Sequence, residues 1–147
     1  MIKKILVATD GSEHAEKAID YACDVGLKYG AMVYVLHVVN KSGITKRLLG
    51  LIEEHRKVKN VDVLLKQIGE RIIGAAKNEV EKKGLKKVHL LLIEGDPAES
   101  IIKVAQKKRV DLIVMGSRGL GNLEGVFLGS VSHKVCNLAD CSCMTIK

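Results

Sequence analysis

The stretch Met115 to Lys134, MGSRGLGNLEGVFLGSVSHK, sets five glycines within fourteen positions, Gly116 to Gly129, directly after the aliphatic run Leu112, Ile113, Val114. Glycine has no Cβ, so its amide can approach an oxyanion closely and its φ can rise above zero. A helix starting near Ser130 would add unpaired amides and the positive end of its dipole, which together favour phosphate. Ser130 and Ser132 would add hydroxyl donors. A polyphosphate would meet a loop, a helix start and two hydroxyls together. The plainer alternative is a slack connection between a strand and a helix.

Two standard phosphate motifs fail here. The P-loop pattern G-x4-G-K-[ST] finds Gly116 and Gly121 correctly spaced, but Asn122 and Leu123 stand where Lys and a hydroxyl residue are required. The dinucleotide pattern G-x-G-x-x-G, started at Gly119 and Gly121, meets Glu124 at its third glycine. Neither standard NTPase nor standard dehydrogenase chemistry follows. His133 lies one helical turn from Ser130, and His14 follows the loop at Asp10, but neither completes a Ser/His/Asp set and both read as solvated helix-face residues. Asp10 comes directly after an aliphatic run. There a carboxylate can accept from a ligand amine or hydroxyl, or close an Asx turn into the next helix.

These groups need elements to hold them, and the apolar pattern supplies two kinds. Residues 4 to 8 (KILVA), 32 to 39 (MVYVLHVV), 88 to 93 (VHLLLI) and 111 to 115 (DLIVM) are short, aliphatic and rich in β-branched side chains, as buried strands are. The final CMTIK is a weaker fifth, with Met144 and Ile146 on one face. Between them run helical stripes: Ala15, Ala18, Ile19, Ala22 and Cys23 after the N-cap Ser12, and Val61, Leu65, Ile68, Ile72, Ala76 and Val80 up to Gly84. A third helix opens at Pro97 and buries Ala98, Ile101, Ile102 and Ala105; a fourth follows Gly129 with Val131, Val135 and Leu138 inward. Strands alternating with helices predict a doubly wound α/β domain with a largely parallel five-stranded sheet, about four helices on its two faces, and a ligand beyond the carboxyl ends of the strands.

Composition fits one such domain over all 147 residues: apolar residues are 47% and aromatics only 3%, so the core is aliphatic. No run approaches a membrane span, and MIKKILVATD reads as a first strand instead of a signal peptide, which places the chain in the cytoplasm. A net charge of +7 favours anionic partners in general. Residues 40 to 60 hold many of the cations, with a short helix expected around Arg47 to Arg56. With three Tyr, one Phe and no Trp for base stacking, the segment reads as a solvated flap, and direct nucleic-acid binding is not expected. Cys136, Cys141 and Cys143 match no zinc or CxxC spacing, and like Cys23 they read as small buried hydrophobes or incidental thiols.

Gly116, Gly119, Gly129 and Ser130 fit G-x2-G-x9-G-[ST], which resembles the ATP-binding signature of the universal stress protein family. KKILVATDGSEHAEKAIDYA looks like that family's first strand and helix, LHVV like the end of its second strand, and EGDPAESIIKVAQKKRVDLIVMGSRG like its third helix and fourth strand. Only residues 41 to 60 lack a counterpart. The resemblance implies a Rossmann-like sheet of order 3-2-1-4-5, an adenine nucleotide (ATP, or AMP or ADP) between strands 1 and 4, and a homodimer joined through the last strand. It assigns Ala8, Thr9 and Asp10 to adenosine, Val38 to backbone contacts with the adenine ring, and Met115 to the closing of the adenine pocket. It assigns Gly116, Gly119, Gly129, Ser130, Val131 and Ser132 to ribose and phosphates. With no acidic pair suited to a cation, Mg2+ or Mn2+ would ride on the nucleotide's own phosphates. The implied function is nucleotide-dependent signalling in a stress response with at most slow hydrolysis or autophosphorylation. The alternative is an interaction module with a vestigial site. Two departures stand out: Ala8 where many members carry proline, and Cys141, Ser142, Cys143, Met144, Thr145 where C-P-V-x-V is usual.

Overall fold

The computed structural model describes residues 1–42, 60–121 and 128–147. The short helix expected around Arg47 to Arg56, nearly all of the basic flap, and Gly125 lie outside the described residues. The elements are β1 (Lys4–Ala8), α1 (Glu13–Tyr29), β2 (Met32–Val39), α2 (Val61–Lys82), β3 (Val88–Glu94), α3 (Pro97–Lys108), β4 (Leu112–Gly116), α4 (Ser130–Leu138) and β5 (Ser142–Ile146). All five strands are parallel, in the order β3-β2-β1-β4-β5. The aliphatic runs therefore became the strands because a parallel sheet buries both faces.

Each face has its own core. Ile5, Val7, Val33, Val35 and Val114 meet the buried stripe of α1, with Ala76 and Val80 of α2. Leu6, Leu36, Ile113 and Met115 meet Ala98, Ile101 and Ala105 of α3 and Val135 of α4. Ser12 caps α1 as expected, its side chain accepting from the Ala15 amide, and Asp96 does the same for α3 through the Glu99 amide.

Two inward faces differ from the sequence expectation. On α2, Ile68 is exposed and its neighbour Gly69 is buried instead, because a side chain there would crowd Leu92 and Val39. The helix turns its smallest residue to the sheet where it approaches most closely. On α4, Leu138 is 57% exposed and Ser132 is buried. Of the cysteines only Cys23 is a core residue; Cys136 is exposed, and Cys141 and Cys143 are half-buried.

The amino ends of β1 and β4 are tied by Asp111, whose Oδ2 accepts the Lys3 and Lys4 amides at 2.8 and 2.9 Å. Those two amides hold its carboxyl below the ordinary carboxylate value. A carboxyl whose pKa falls on folding contributes stability that is complete above its unfolded pKa of about 4 and is lost as the pH falls below it. Asp111→Asn is accordingly expected to lower the urea midpoint modestly at neutral pH and to flatten the acid limb of a stability-against-pH curve. The effect stays small because the group is exposed.

Candidate functional site

A cavity of about 430 Å3 opens at the carboxyl ends of β1, β2 and β4. It lies where β1 pairs with β2 on one side and β4 on the other, so that the winding of the sheet reverses. Ala8, Thr9, Asp10, Val38, Met115, Gly116, Gly119, Gly129, Ser130, Val131 and Ser132 all line it. The fold thus gathers into one hollow all eleven residues picked out in sequence. It also brings in Asn40, Pro97, Ile101 and Arg118, which sequence reasoning passed over. Arg118 carried a legible signal, a cation between two motif glycines. Pro97 and Ile101 carried none, since only the packing of α3 on the sheet brings them there.

The wall is divided by chemistry. Leu36, Ile101 and Met115 belong to the core under α3 and α4, and Ala8, Val38 and Val131 pack against it. This part suits a flat apolar ring. The opposite part is made of the loop after β4 and the first turn of α4. The other three helices start with a side-chain cap and an acidic residue in the first turn, whereas α4 starts at Gly129 with neither. Its positive end faces the cavity uncompensated.

The loop is closed by Ser117, which is 1% exposed. Its carbonyl accepts the Gly129 amide at 2.6 Å and the Ser132 hydroxyl at 3.0 Å, and its amide donates to the Ile146 carbonyl at 2.7 Å. Its Oγ pairs with His14 Nδ1 at 3.1 Å. Loop ends twelve residues apart are thereby pinned together and held to α1 and β5. Ser132 emerges with a different part from the one its hydroxyl suggested. Its single hydrogen points at the carbonyls of Ser117 and Gly129, both 3.0 Å away, so it fastens the loop to α4.

Asp10 makes the corresponding tie from β1. Its Oδ1 accepts the Ser12 amide at 2.9 Å, the Asx turn into α1, while its Oδ2 accepts the Leu120 amide at 3.2 Å. The carboxylate joins the β1 loop to the glycine loop. Thr9 is locked beside it. Its amide donates to Leu36 O at 2.9 Å, and its carbonyl accepts from His37 at 2.8 Å, which fixes the imidazole with a hydrogen on Nδ1. His133 sits outside this set, exposed on α4 beside Asn137.

The glycines serve space more than dihedral freedom. Among the described residues the glycines with positive φ are Gly11, Gly30, Gly84 and Gly95, none of them in the motif. A Cβ on Gly116 would lie 2.8 to 3.0 Å from His14 and from the Ala15 amide nitrogen, and one on Gly119 would lie 2.5 Å from Asp10 Oδ2. At Gly129 the nearest atom is 3.5 Å away.

The universal stress protein family model matches the chain over residues 1–147. The chain belongs to that family. The Bacillus subtilis universal stress protein YxiE is 35% identical over 150 residues, covering all of both chains. Among solved structures, protein MJ0577 of Methanocaldococcus jannaschii superposes with a TM-score of 0.80 at 32% identity, over 100% of this chain and 96% of that one. The universal stress protein of Archaeoglobus fulgidus in complex with dAMP shares the fold, with a TM-score of 0.63 at 21% identity over 100% of this chain and 98% of that one. The sheet order that the family resemblance implied is the order observed. No described helix is long and apolar enough to cross a membrane.

Proposed function

We propose that the chain, as one domain over residues 1–147, binds an adenine nucleotide in this cavity and uses it as a conformational signal in a stress response. ATP is the leading ligand, with AMP and ADP as relatives and Mg2+ or Mn2+ carried by the phosphates. The observation that carries the reading is the meeting of an apolar wall with an uncapped helix start in one cavity of suitable size. The occurrence of dAMP in a family member supports it at the level of the family. Ala8, Val38 and Met115 take the base. Asp10 and Thr9 hold the loops around the adenosine. The backbone of Gly116, Gly119 and Gly129 and the start of α4 at Ser130, Val131 and Ser132 take ribose and phosphates.

A loop pinned by Ser117 and Asp10 holds a nucleotide in a preformed site, and the chemistry assigned to it goes no further than slow hydrolysis or autophosphorylation. The outer edge of β5, which no other strand pairs with among the described residues, is the surface offered to a second copy, giving a homodimer, and the cytoplasm is the proposed location. Thermal unfolding with ATP tests the reading. A ligand present at a hundred times its Kd and bound only to the folded state stabilises it by about 2.7 kcal/mol, a rise of roughly 5 to 10 °C for a chain of this size. A melting curve unmoved by saturating ATP, AMP and ADP would overturn it and leave the interaction module with a vestigial site.

A further inference from the structure

The cavity occupies the carboxyl ends of the strands, and the opposite pole of the molecule is basic. Lys3 and Lys4 stand at the start of β1, and Lys86 and Lys87 lead into β3. Lys107 and Arg109 stand at the end of α3, and Lys28 in the last turn of α1. Backbone hydrogen bonds set the strand starts side by side: Lys3 O accepts the Met32 amide at 2.8 Å, Lys87 O the Val33 amide at 2.9 Å, and Lys4 O the Asp111 amide at 2.9 Å. Two ammonium groups are held in place across this end, Lys4 Nζ donating to Lys108 O at 2.9 Å and Lys87 Nζ to Gly30 O at 3.1 Å. We propose that this pole is a docking surface for an anionic lipid bilayer, seated on headgroup phosphates with the cavity facing away from the membrane.

The charge of this face is not spent within the chain. Lys3, Lys28, Lys86, Lys87, Lys107 and Arg109 are all exposed, and among the described residues none of them makes an ion pair. The carboxylates at the same end have other partners. Asp111 accepts the Lys3 and Lys4 amides, Asp140 accepts from Gln106 Nε2 at 2.8 Å, and Asp20 and Asp24 face Lys83. Cations at the carboxyl end of a helix complement its dipole, which accounts for Lys28 and Lys107. Lys3, Lys86 and Lys87 lie outside the helices, so the dipole gives them no such task.

The layout of the cations favours a membrane over other polyanions. α1 packs on one face of the sheet and α3 on the other. Lys28 therefore belongs to one helix layer, Lys3 and Lys86 to the sheet, and Lys107 and Arg109 to the other helix layer. A helix with its side chains is about 10 Å across, so the cations spread over roughly 20 Å in breadth instead of following one line. Such a spread matches a plane of phosphates better than the narrow backbone ribbons of a nucleic-acid duplex. Leu27 and Tyr29, each 47% exposed, stand beside Lys28 in the last turn of α1, and the Lys28 ammonium lies 5.9 Å from the centre of the Tyr29 ring. A tyrosine with an apolar body and a polar tip suits the headgroup layer, where a phosphodiester backbone has no counterpart for it.

Co-sedimentation of the full-length protein with vesicles is the test. Vesicles of phosphatidylcholine mixed with phosphatidylglycerol should carry the protein down, vesicles of phosphatidylcholine alone should not, and the binding should weaken as salt is raised. Each lysine or arginine at an anionic surface strengthens binding roughly fivefold, so the triple variant Lys3→Gln, Lys86→Gln, Lys107→Gln should partition about a hundredfold less. The control is Lys17→Gln, Lys77→Gln, Lys134→Gln, which removes the same charge from exposed lysines of α1, α2 and α4 that each pair with a carboxylate. It should bind nearly as the parent does. All the substituted side chains are largely exposed, and melting curves of the three proteins check that each is folded. Failure to sediment with the anionic vesicles at low salt, binding indifferent to salt, or an equal loss in both triple variants would each overturn the proposal. Labelled duplex DNA supplies the competing outcome: tighter binding than to the anionic vesicles at equal phosphate concentration, lost in the first variant, would reassign the face to nucleic acid.

Discussion

Gly116→Ala is expected to destabilise the folded chain by about 3 kcal/mol and to lower the melting temperature by roughly 6 to 12 °C. Gly116 is the last residue of β4, and the added methyl would lie 2.8 Å from His14 Cβ, 2.9 Å from the His14 carbonyl carbon and 3.0 Å from the Ala15 amide nitrogen. Two of these three atoms are backbone of the first turn of α1, so no side-chain rotation relieves the contact. Either α1 lifts from the sheet or β4 shifts. A lift takes Ala15, Ala18 and Ile19 away from the core, and a shift breaks the register of β4 with both β1 and β5. The neighbouring Ser117 would lose its alignment with His14, so the loop should loosen along with the fold. Urea unfolding followed by circular dichroism measures the loss. Gly129→Ala is the control: its φ of −66° suits any residue and its nearest contact would be 3.5 Å, so its cost should stay below about 1 kcal/mol, the loss of a mediocre N-cap. Equal losses at both positions would show that the contact with α1 does not set the cost.

That contrast marks what could be read from sequence. The strands were legible because parallel strands buried on both faces leave unbroken aliphatic runs, and α1 because its stripe is flanked by Ser12 and Gly30. The site's location followed from the end of β4, a strand signal and a glycine cluster in succession. Which glycine does what was not legible. Gly116, Gly119 and Gly129 are identical letters at motif spacing, and only the approach of α1 to one and of Asp10 to another separates them. Ile68 and Leu138 were misplaced for a related reason. Periodicity predicts a stripe, but where a helix comes closest to the sheet the smallest residue wins, as at Gly69, and where a loop must be clamped a buried hydroxyl wins, as at Ser132. Ser117 was invisible in sequence. Its importance lies in four hydrogen-bonding partners drawn from α1, the loop's far end, α4 and β5, none of which is adjacent to it in the chain.

The largest expected effect on ligand binding belongs to Gly119→Ala. Its Cβ would lie 2.5 Å from Asp10 Oδ2, so the carboxylate and the loop can no longer occupy their present places together. Asp10 could rotate only by giving up the Ser12 amide that starts α1, and the loop could retreat only by giving up the hydrogen bond from Leu120 to the same carboxylate. Losing one such bond costs the fold about 1 kcal/mol, because the groups are near solvent and rehydrate. Binding suffers more, since the loop's backbone is what the proposed phosphates meet, and a site that must be ordered by its ligand loses the benefit of being preformed. ATP affinity should fall about a hundredfold, equivalent to some 2.7 kcal/mol, while the melting temperature of the free protein drops by only a few degrees. Asp10→Ala should give a similar loss by removing the acceptor from the other side. In the double variant the methyl no longer meets a carboxylate, so the two losses should not add. Isothermal titration with the four proteins measures this coupling. Fully additive losses would mean that Asp10 and Gly119 meet the nucleotide separately and that the contact between them is incidental.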